Sequence, residues 1–490
     1  MSLTSALNSA RNSLAVRSSE TDVVSRNIAG VNDPGYSRKT ADVAVGAQGS
    51  VRLVQVSRSA DQALFGSVLR STSDASTQQA LLTGINQMQQ TVDPSLGAAT
   101  PAGRVASLID GLQQLAAAPD NQNLAANAVT SARDLVQTMH DATETVQSVR
   151  KAADSDIATS VSNINRLLSQ FETVNAKITS DAGSGRDITD QLDARDQLLS
   201  KISSEIGIRT TVRANSDMQI YTDGGATLFD RTPRVVSFQP TLQYTAGTQG
   251  NAVIVDGTPV TGPGAVMTAQ SGRIAGLTQL RDDVAVKYQG QLDEIARGLI
   301  NSLSETDTTG ASSSARAGLF RVGTSTALPG STLEPGLAGL IQVASSVDAA
   351  QGGNPMLLRD GGISDPTDPN YKINATGAAA FSDRLESMIS GLNAAQSFDS
   401  SGGAMTTGSP ADYASSSVGW IESLRQSTTN ASDQKSTTRD RAQQSLSGVT
   451  GVSLDNEMSK MLDLERAYQG SAKLISVVDS MLQAILQAVG

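Results

Sequence analysis

Apolar residues recur at steps of three and four along both ends of the chain. Each series is broken at a few polar positions, Arg17 and Thr21 in the first and Glu457 and Ser471 in the second. This spacing is the a/d pattern of a coiled-coil seam. We therefore expect two long terminal helices that pair with each other or with neighbouring copies. The expected assembly residues on these helices are Leu3, Leu7, Leu14, Ile28, Leu454, Met461, Leu464, Tyr468, Ile475, Val478, Leu482 and Ile485.

Between these ends, the pattern predicts a series of helices with two interruptions. The first helix ends at Gly30, and a β-ribbon is expected over 40–57, where apolar and polar residues alternate. Helical spacing then predicts further segments, with stops at Asp93-Pro94 and Ala118-Pro119. The expected segments lie at 61–92, 103–117, 124–180, 187–205, 272–304, 379–397 and 410–447, and the terminal helix begins near 453.

The two interruptions differ in character. Residues 208–268 carry short Val- and Thr-rich runs and the hairpin signal Asp223-Gly224-Gly225, which predict a small β domain. Residues 305–378 are rich in Gly, Pro, Ser and Asp and predict a loop-rich insertion, associated with the middle or the β domain. The fold class is therefore mainly α with an inserted β domain, arranged as an elongated multidomain rod.

Four structural units are expected from this order. They are a terminal coiled-coil domain, a helical-bundle middle domain, an outer β domain and the insertion. Their bounds are 1–60 with 441–490, then 61–207 with 269–304 and 379–440, then 208–268, and finally 305–378.

The composition argues against two classes of partner. The chain has 490 residues, 3% aromatic residues and a net charge of −11. An acidic chain is a poor partner for nucleic acid or an anionic membrane surface. With no cysteine, the chain has no disulfide framework and no Cys-ligated metal. No signal-peptide pattern or membrane-length apolar run is apparent, which by itself predicts a cytosolic protein.

Candidate chemistry is sparse. His140 is the only histidine and lies in a helical pattern, where a surface or half-buried position is expected. Asp365, Asp368 and Asn370 come nearest to a calcium loop, but their Pro-rich surroundings favour a turn. We therefore predict no catalytic, cofactor-binding or metal site, and no enzymatic activity.

The turn after the first helix carries a resemblance. Residues 27–38 read Asn-Ile-Ala-Gly-Val-Asn-Asp-Pro-Gly-Tyr-Ser-Arg, which is similar to the signature of bacterial flagellar axial proteins, the rod, hook and hook-associated family. Gly30 stands where the family usually has Asn. The tail, over 451–458 and 467–475, also resembles the terminal helix of that family, with Gly470 where Ala is more usual.

Two internal blocks indicate which members of the family the chain resembles most. Residues 192–199, followed by 206–208, and residues 272–277 are similar to the hook-associated members found where the hook meets the filament. The resemblance is weak over 305–378. It implies a structural subunit that self-assembles through its terminal helices and is exported by the type III apparatus. The expected location is therefore the extracellular flagellum, which replaces the cytosolic expectation.

The resemblance also implies partners. They are the hook protein, a second junction protein on the filament side, copies of the chain itself, and an export chaperone on the C-terminal helix. Tyr36, which ends the turn, joins the expected assembly residues as an organiser of the terminal domain. The expected chaperone contacts are Met461, Leu464, Tyr468, Ile475 and Leu482.

Three alternatives stay open at this point. The chain could be a hook or distal rod protein of the same family, although the block at 192–199 counts against this. It could carry an enzymatic insertion at 305–378, or it could be a flagellar surface adhesin that uses the β domain for contact.

Overall fold

In the computed structural model, residues 3–46, 51–92, 99–308 and 315–489 are described. The side chain of Leu3 and the expected stop at Asp93-Pro94 lie outside the described part. The helices are α1 (Leu3–Gly30), α2 (Gln62–Gln89), α3 (Pro101–Ala117), α4 (Gln122–Gly183), α5 (Thr189–Glu205), α6 (Arg273–Gln279), α7 (Ala285–Ser302), α8 (Leu337–Leu340), α9 (Leu357–Asp360), α10 (Asp383–Asn393), α11 (Pro410–Thr450) and α12 (Leu454–Val489).

The strands are short and antiparallel. They are β1 (Lys39–Val45), β2 (Val51–Arg58), β3 (Ile208–Val212), β4 (Met218–Thr222), β5 (Thr227–Asp230), β6 (Thr232–Pro233), β7 (Val236–Ser237), β8 (Ile254–Val255), β9 (Thr258–Pro259), β10 (Phe320–Val322), β11 (Ile341–Val343), β12 (Gln396–Ser397) and β13 (Thr407–Gly408). The mainly helical fold class with small sheets is confirmed.

Pairing of the chain ends is also confirmed, since α1 packs along α12, and α2 packs along α11 in the next layer. Local caps explain where two of these helices begin. The Asp61 carboxylate accepts from the backbone N–H groups of Ala63 and Leu64, each at 2.9 Å. Ser409 and Asp412 form a reciprocal capping box at the start of α11. Such caps satisfy backbone donors that a helix start leaves unpaired.

The core of the molecule follows α4, which is 62 residues long. Its buried side chains include Ile157, Ile164, Leu168 and Phe171, at the three-and-four spacing of one helix face. Helices α3, α5, α6 and α7 pack against this helix. We call α3–α7 the helical body. The core is complete within one chain.

The β segment lies along the same helix. Its strands form a four-stranded sheet in the order β3-β4-β5-β6 and a three-stranded sheet in the order β7-β8-β9. The Asn165 side-chain amide on α4 donates to the Val236 carbonyl (2.7 Å) and accepts from its N–H (3.1 Å). Phe171 meets Phe229 edge to face at 4.9 Å between ring centroids. The apolar core is therefore continuous from the helices into the sheets.

The segment 272–304 departs from the single regular helix that we expected. Residues Leu280–Val284 form a π turn between α6 and α7, where the N–H of Ala285 bonds to the Leu280 carbonyl, five residues back. The carbonyl of Arg281 instead accepts from Arg150 Nε at 3.0 Å. A carbonyl engaged by a side chain is a typical reason for a locally widened helix.

The insertion packs along the helices. Asp293 on α7 accepts from the N–H groups of Gly336 and Ala338, both at 2.8 Å, at the start of α8. His140 on α4 is half-buried, as expected, and its Nε2 lies 2.9 Å from the Ile341 carbonyl. The loop-rich segment is therefore attached to α4 and α7. The four domain bounds given above stay predictions.

The acidic residues of the insertion form turns. The carboxylate of Asp365 accepts from the N–H of Thr367, and that of Asp368 accepts from the N–H of Asn370, each at 3.0 Å. Across the described ranges, no group of three or more candidate ligands is placed to hold a metal ion.

Candidate functional site

The candidate site is the place where the terminal helices meet the helical body. It begins at the turn after α1, where Asp33 accepts from the N–H of Gly35 at 2.8 Å. The chain reverses there, and the Tyr36 ring returns onto the end of α1. A Cβ at Gly30 would lie 2.6 Å from the Tyr36 ring. Glycine at position 30 therefore permits this close approach in the present chain.

Asn27 organises the turn from inside α1. Its side chain is fully buried. Its Oδ1 accepts from the Tyr36 hydroxyl (3.0 Å) and from the Lys39 N–H (2.9 Å). Its Nδ2 donates to the Lys39 carbonyl and to Glu457 Oε2, both at 2.9 Å. The amide thus makes its four possible hydrogen bonds, and they join α1, β1 and α12.

Glu457 is the contribution of α12. This carboxylate is 0% exposed and also accepts from Arg38 Nε at 2.7 Å. The N–H of Arg38 in turn donates to the Thr450 carbonyl at the end of α11, at 2.7 Å. A buried carboxylate is tolerated only when it is paired and hydrogen-bonded, as here. The turn therefore holds both helices of the C-terminal tail.

Ion pairs connect the β1–β2 hairpin to α5. Lys39 Nζ pairs with Asp190 and lies 3.5 Å from Asp193 Oδ2. Arg58 pairs with Asp193 at 2.9 Å and with Asp196 at 2.7 Å. The acidic residues sit at positions 190, 193 and 196, so they occupy one face of the helix. We call this whole set the joint; its members are Asn27, Tyr36, Arg38, Lys39, Arg58, Asp190, Asp193, Asp196 and Glu457.

Burial dominates the electrostatics of the joint. Burial raises the pKa of Tyr36 to about 12, so the phenol remains a donor to Asn27 at physiological pH. Burial lowers the pKa of Lys39, and the neighbouring Asp193 opposes this effect. Burial also raises the pKa of Asp196, against the attraction of Arg58. Each charged group of the joint has an ion-pair or hydrogen-bond partner. We therefore interpret the joint as a structural connection between the terminal helices and the helical body.

Apart from Tyr36 in the turn after α1, the expected assembly residues lie on the paired helices, at varied depths. Leu464 and Val478 are buried, at 4% and 9% exposure. Leu7, Leu14, Ile28, Tyr36, Met461, Ile475 and Leu482 are half-buried. Leu454, Tyr468 and Ile485 are exposed by 44–47%. The side of α12 that α1 does not cover is therefore partly apolar.

Sequence reasoning missed how the joint is built. Asn27, Tyr36 and Arg38 lay in the recognised turn, and Asp193 and Asp196 lay in the block at 192–199. No pattern linked these segments to each other or to Glu457, which is separated from Asn27 by 430 positions. One sequence feature could have pointed to the joint. Glu457 is a polar residue that interrupts the apolar series of the last helix, and a polar residue at such a position needs a buried partner.

The comparison with known families decides the identity. A model described as the flagellar hook-associated protein FlgK helical domain matches residues 73–320, which is half of the chain. The chain belongs to the flagellar hook-associated protein FlgK family. A second model, the C-terminal region of the flagellar basal body rod FlgEFG proteins, matches residues 442–488. This family is the structural, non-enzymatic family of the hook–filament junction.

Relatives are similar at modest identity. Flagellar hook-associated protein 1 of Bacillus subtilis is 20% identical, over 99% of this chain and 98% of its own length. The protein of the same name in Escherichia coli is 26% identical over 55% of this chain and 53% of its own length. The hook junction protein FlgK of Burkholderia pseudomallei has 21% identity and a TM-score of 0.42, over 53% of this chain and 47% of that one.

These findings confirm the resemblance, the structural role and the extracellular axial location. The match over 73–320 favours a junction protein over a hook or rod protein. The alternative of an enzymatic insertion is wrong for a member of this structural family. Among the described helices, none contains an apolar stretch of the length and hydropathy that a membrane span requires.

Proposed function

We propose that this family member assembles with copies of itself through α1 and α12, forming the junction between hook and filament. The observation that supports self-assembly most strongly is the exposed apolar surface of α12. Leu474, Met481 and Ile485 are exposed by 60%, 54% and 47%, beside the seam that α1 covers. Contiguous exposed apolar surface marks an interaction site in a protein that must stay soluble.

The proposed division of labour follows the four units. Residues 1–60 with 441–490 form the inner assembly domain, and the joint transmits its orientation to the helical body. We propose that the β segment 208–268, which packs on α4, forms the outer part. Membership of the FlgK family supports axial protein partners, and we propose the hook protein and the second junction protein.

An export chaperone is the proposed partner of α12 before assembly. The chaperone would bind the same apolar surface of α12 that we propose for self-assembly. Covering this surface would prevent the free subunit from aggregating. The proposed contacts are Met461, Leu464, Tyr468, Ile475 and Leu482. Of these, Leu464 is buried against the chain's own helices, so a chaperone that reaches it must displace α1.

The test is electron microscopy of cells that lack the protein. We expect hooks without filaments and release of filament protein into the medium, both corrected by the wild-type gene. Normal filaments in the deletion strain would contradict the proposal.

A matched pair of variants then tests the role of α12. Leu482→Asp places a charge at the edge of the apolar surface formed by Leu474, Met481 and Ile485, and Gln483→Asp places the same charge on the opposite, polar side of α12. We expect Leu482→Asp to lose filament attachment and chaperone copurification, whereas Gln483→Asp retains both. Equal behaviour of the two variants would contradict assembly through this face.

A further inference from the structure

Beside the joint lies an open groove of about 740 Å³. Its walls are the turn after α1, the start of α2, α5, β3 and the end of α11. Its floor is apolar and includes Leu69, at 3% exposure, with Phe65, Ile208 and Met218. Tyr36, Arg58 and Asp196 of the joint line one side of the groove, whereas its apolar floor belongs neither to the joint nor to the pairing of α1 with α12.

The rim of the groove carries unpaired positive charge. Arg70 and Arg209 are exposed, and neither guanidinium forms an ion pair with a described residue. The other charged side chains in the groove already have partners: Arg58 pairs with Asp196, Asp61 caps α2, and Arg195 donates to Asn175 Oδ1 and to the Ser216 carbonyl. Val212, at 42% exposure, adds an apolar side chain at the end of β3. The groove is thus suited to a segment that is apolar in the centre and acidic at its edge.

One exposed surface of this chain has that chemistry. Leu454, Met458 and Leu462 follow one another at steps of four on α12 and are exposed by 45%, 49% and 53%. This spacing places them on one helix face. The face differs from the side of α12 that holds buried Glu457 and Leu464. We call Leu454, Met458 and Leu462 the acidic-flanked stripe, because the exposed residues Asp455 and Glu465 lie beside it.

We propose that the groove of one copy receives the acidic-flanked stripe of a neighbouring copy. The charges are complementary, since Asp455 and Glu465 would face Arg70 and Arg209. The apolar requirements also agree, because helix-in-groove recognition uses residues spaced by three or four. Within one chain, the stripe remains exposed although α12 starts only a few residues after Thr450, which lines the groove. A separate copy is therefore the occupant that fits.

The geometry of this contact has a consequence for assembly. Groove and stripe are different surfaces, so the contact is heterologous and repeats from copy to copy into a ring or an open helix. This inference rests on the proposed self-assembly, and it specifies which surfaces meet outside the seam of α1 and α12.

The absence of cysteine from the chain permits a direct test. Two single variants, Val212→Cys in the groove and Met458→Cys on the stripe, are produced together in one cell. Flagella that carry junctions are isolated and oxidised. A heterologous contact gives a cross-linked dimer in cells that contain both variants, and none in cells that contain one. Because each chain carries one cysteine, a link within a chain is excluded.

Charge reversal gives the second arm of the test. In the same cross-linking assay, Arg70→Glu is expected to lower the dimer yield about tenfold, which corresponds to about 1.4 kcal/mol. Combining it with Asp455→Arg in the partner chain is expected to restore most of the yield. Lys473→Glu, on the exposed part of α12 beyond the stripe, is the control and should leave the yield unchanged.

Two results would overturn the proposal. Dimers from Met458→Cys alone would mean that two stripes meet each other. Absence of dimers in cells whose flagella carry complete filaments would mean that the groove is not an interface, while the proposed junction function stands. If filaments are missing in the deletion strain and restored by both cysteine variants, the two proposals are judged independently.

Discussion

The helical body and the terminal pair are both built from helices with an apolar face, but they differ in how completely that face is buried. Along α4, side chains such as Ile157, Ile164 and Leu168 are fully buried. Along α12, Leu464 and Val478 are the buried apolar side chains among those described, and Leu474 remains 60% exposed. The body has enough neighbouring elements to enclose its apolar face. In the terminal pair, α12 packs along a single helix, and part of its apolar surface stays exposed.

The sharpest expected contrast is in amide hydrogen exchange of the monomer. We expect the middle of α4 to be protected at close to the global stability, whereas α12 exchanges by local opening, about 100-fold faster or more. The measurement is exchange followed by mass spectrometry. Equal, strong protection of both helices before assembly would break the comparison.

Substitutions of apolar residues should destabilise the helical body more than the terminal pair. Phe171→Ala removes a ring that is 0% exposed and packed on Phe229, so a loss of about 3–5 kcal/mol in unfolding free energy is expected. Leu482→Ala, at a half-buried site, is the control and should cost less than about 1 kcal/mol. Denaturant titration of both variants measures this. Similar losses would show that the terminal pair is as complete as the body.

The joint should respond more mildly than the core. Glu457→Ala leaves Asn27 Nδ2 without one acceptor and removes the partner of Arg38, which is itself 36% exposed. We expect a loss of about 2–3 kcal/mol, below that of a fully buried ion pair. Glu465→Ala, an exposed site on the same helix, provides the control. An unchanged unfolding free energy in Glu457→Ala would show that the joint does not stabilise the monomer.

The smallest effect concerns the attachment of the insertion. Burial raises the pKa of Asp293 to about 6, against hydrogen bonds from Ala338, Gly336 and Gln289. Because the folded-state pKa lies above the unfolded value, the contribution of this group is fully present below about pH 4 and is lost as pH rises through 6. It amounts to about 1–3 kcal/mol, since each pKa unit is worth about 1.4 kcal/mol.

Asp293→Asn provides the check on this dependence. The difference in unfolding free energy between the wild type and this variant should change with pH between 4 and 6 and be flat elsewhere. A difference that is constant from pH 4 to 8 would contradict a titration of Asp293.

Much of the architecture was predictable from local spacing. The expected helices at 61–92, 124–180 and 187–205 correspond to α2, α4 and α5 within a few residues. The β-ribbon and the short strands after Ile208 were also found. The π turn at Leu280–Val284 was not, because it depends on Arg150, a residue more than a hundred positions away that engages the Arg281 carbonyl.

The buried face of α1 shows a similar limit. The periodic series placed Leu7, Leu14 and Val24 on the seam, and Val24 is indeed buried, at 1% exposure. Val16 and Val23, which lie outside that series, are also buried, at 6% and 2%. A stripe of apolar residues indicates that a helix will be covered on one side. How much of the helix surface becomes buried depends on the elements that pack on it. For α1 these include the β1–β2 hairpin.

The helices, their apolar faces and the turn with its Gly-Tyr-Ser-Arg ending are predictable from the sequence, because each depends on residues a few positions apart. The meeting of Asn27, Lys39 and Glu457 in one buried joint is visible only in the folded chain, as is the side of α12 that stays exposed. The physical reason is that buried polar groups must be paired. A sequence shows which groups need partners, and only the packed chain shows where those partners are.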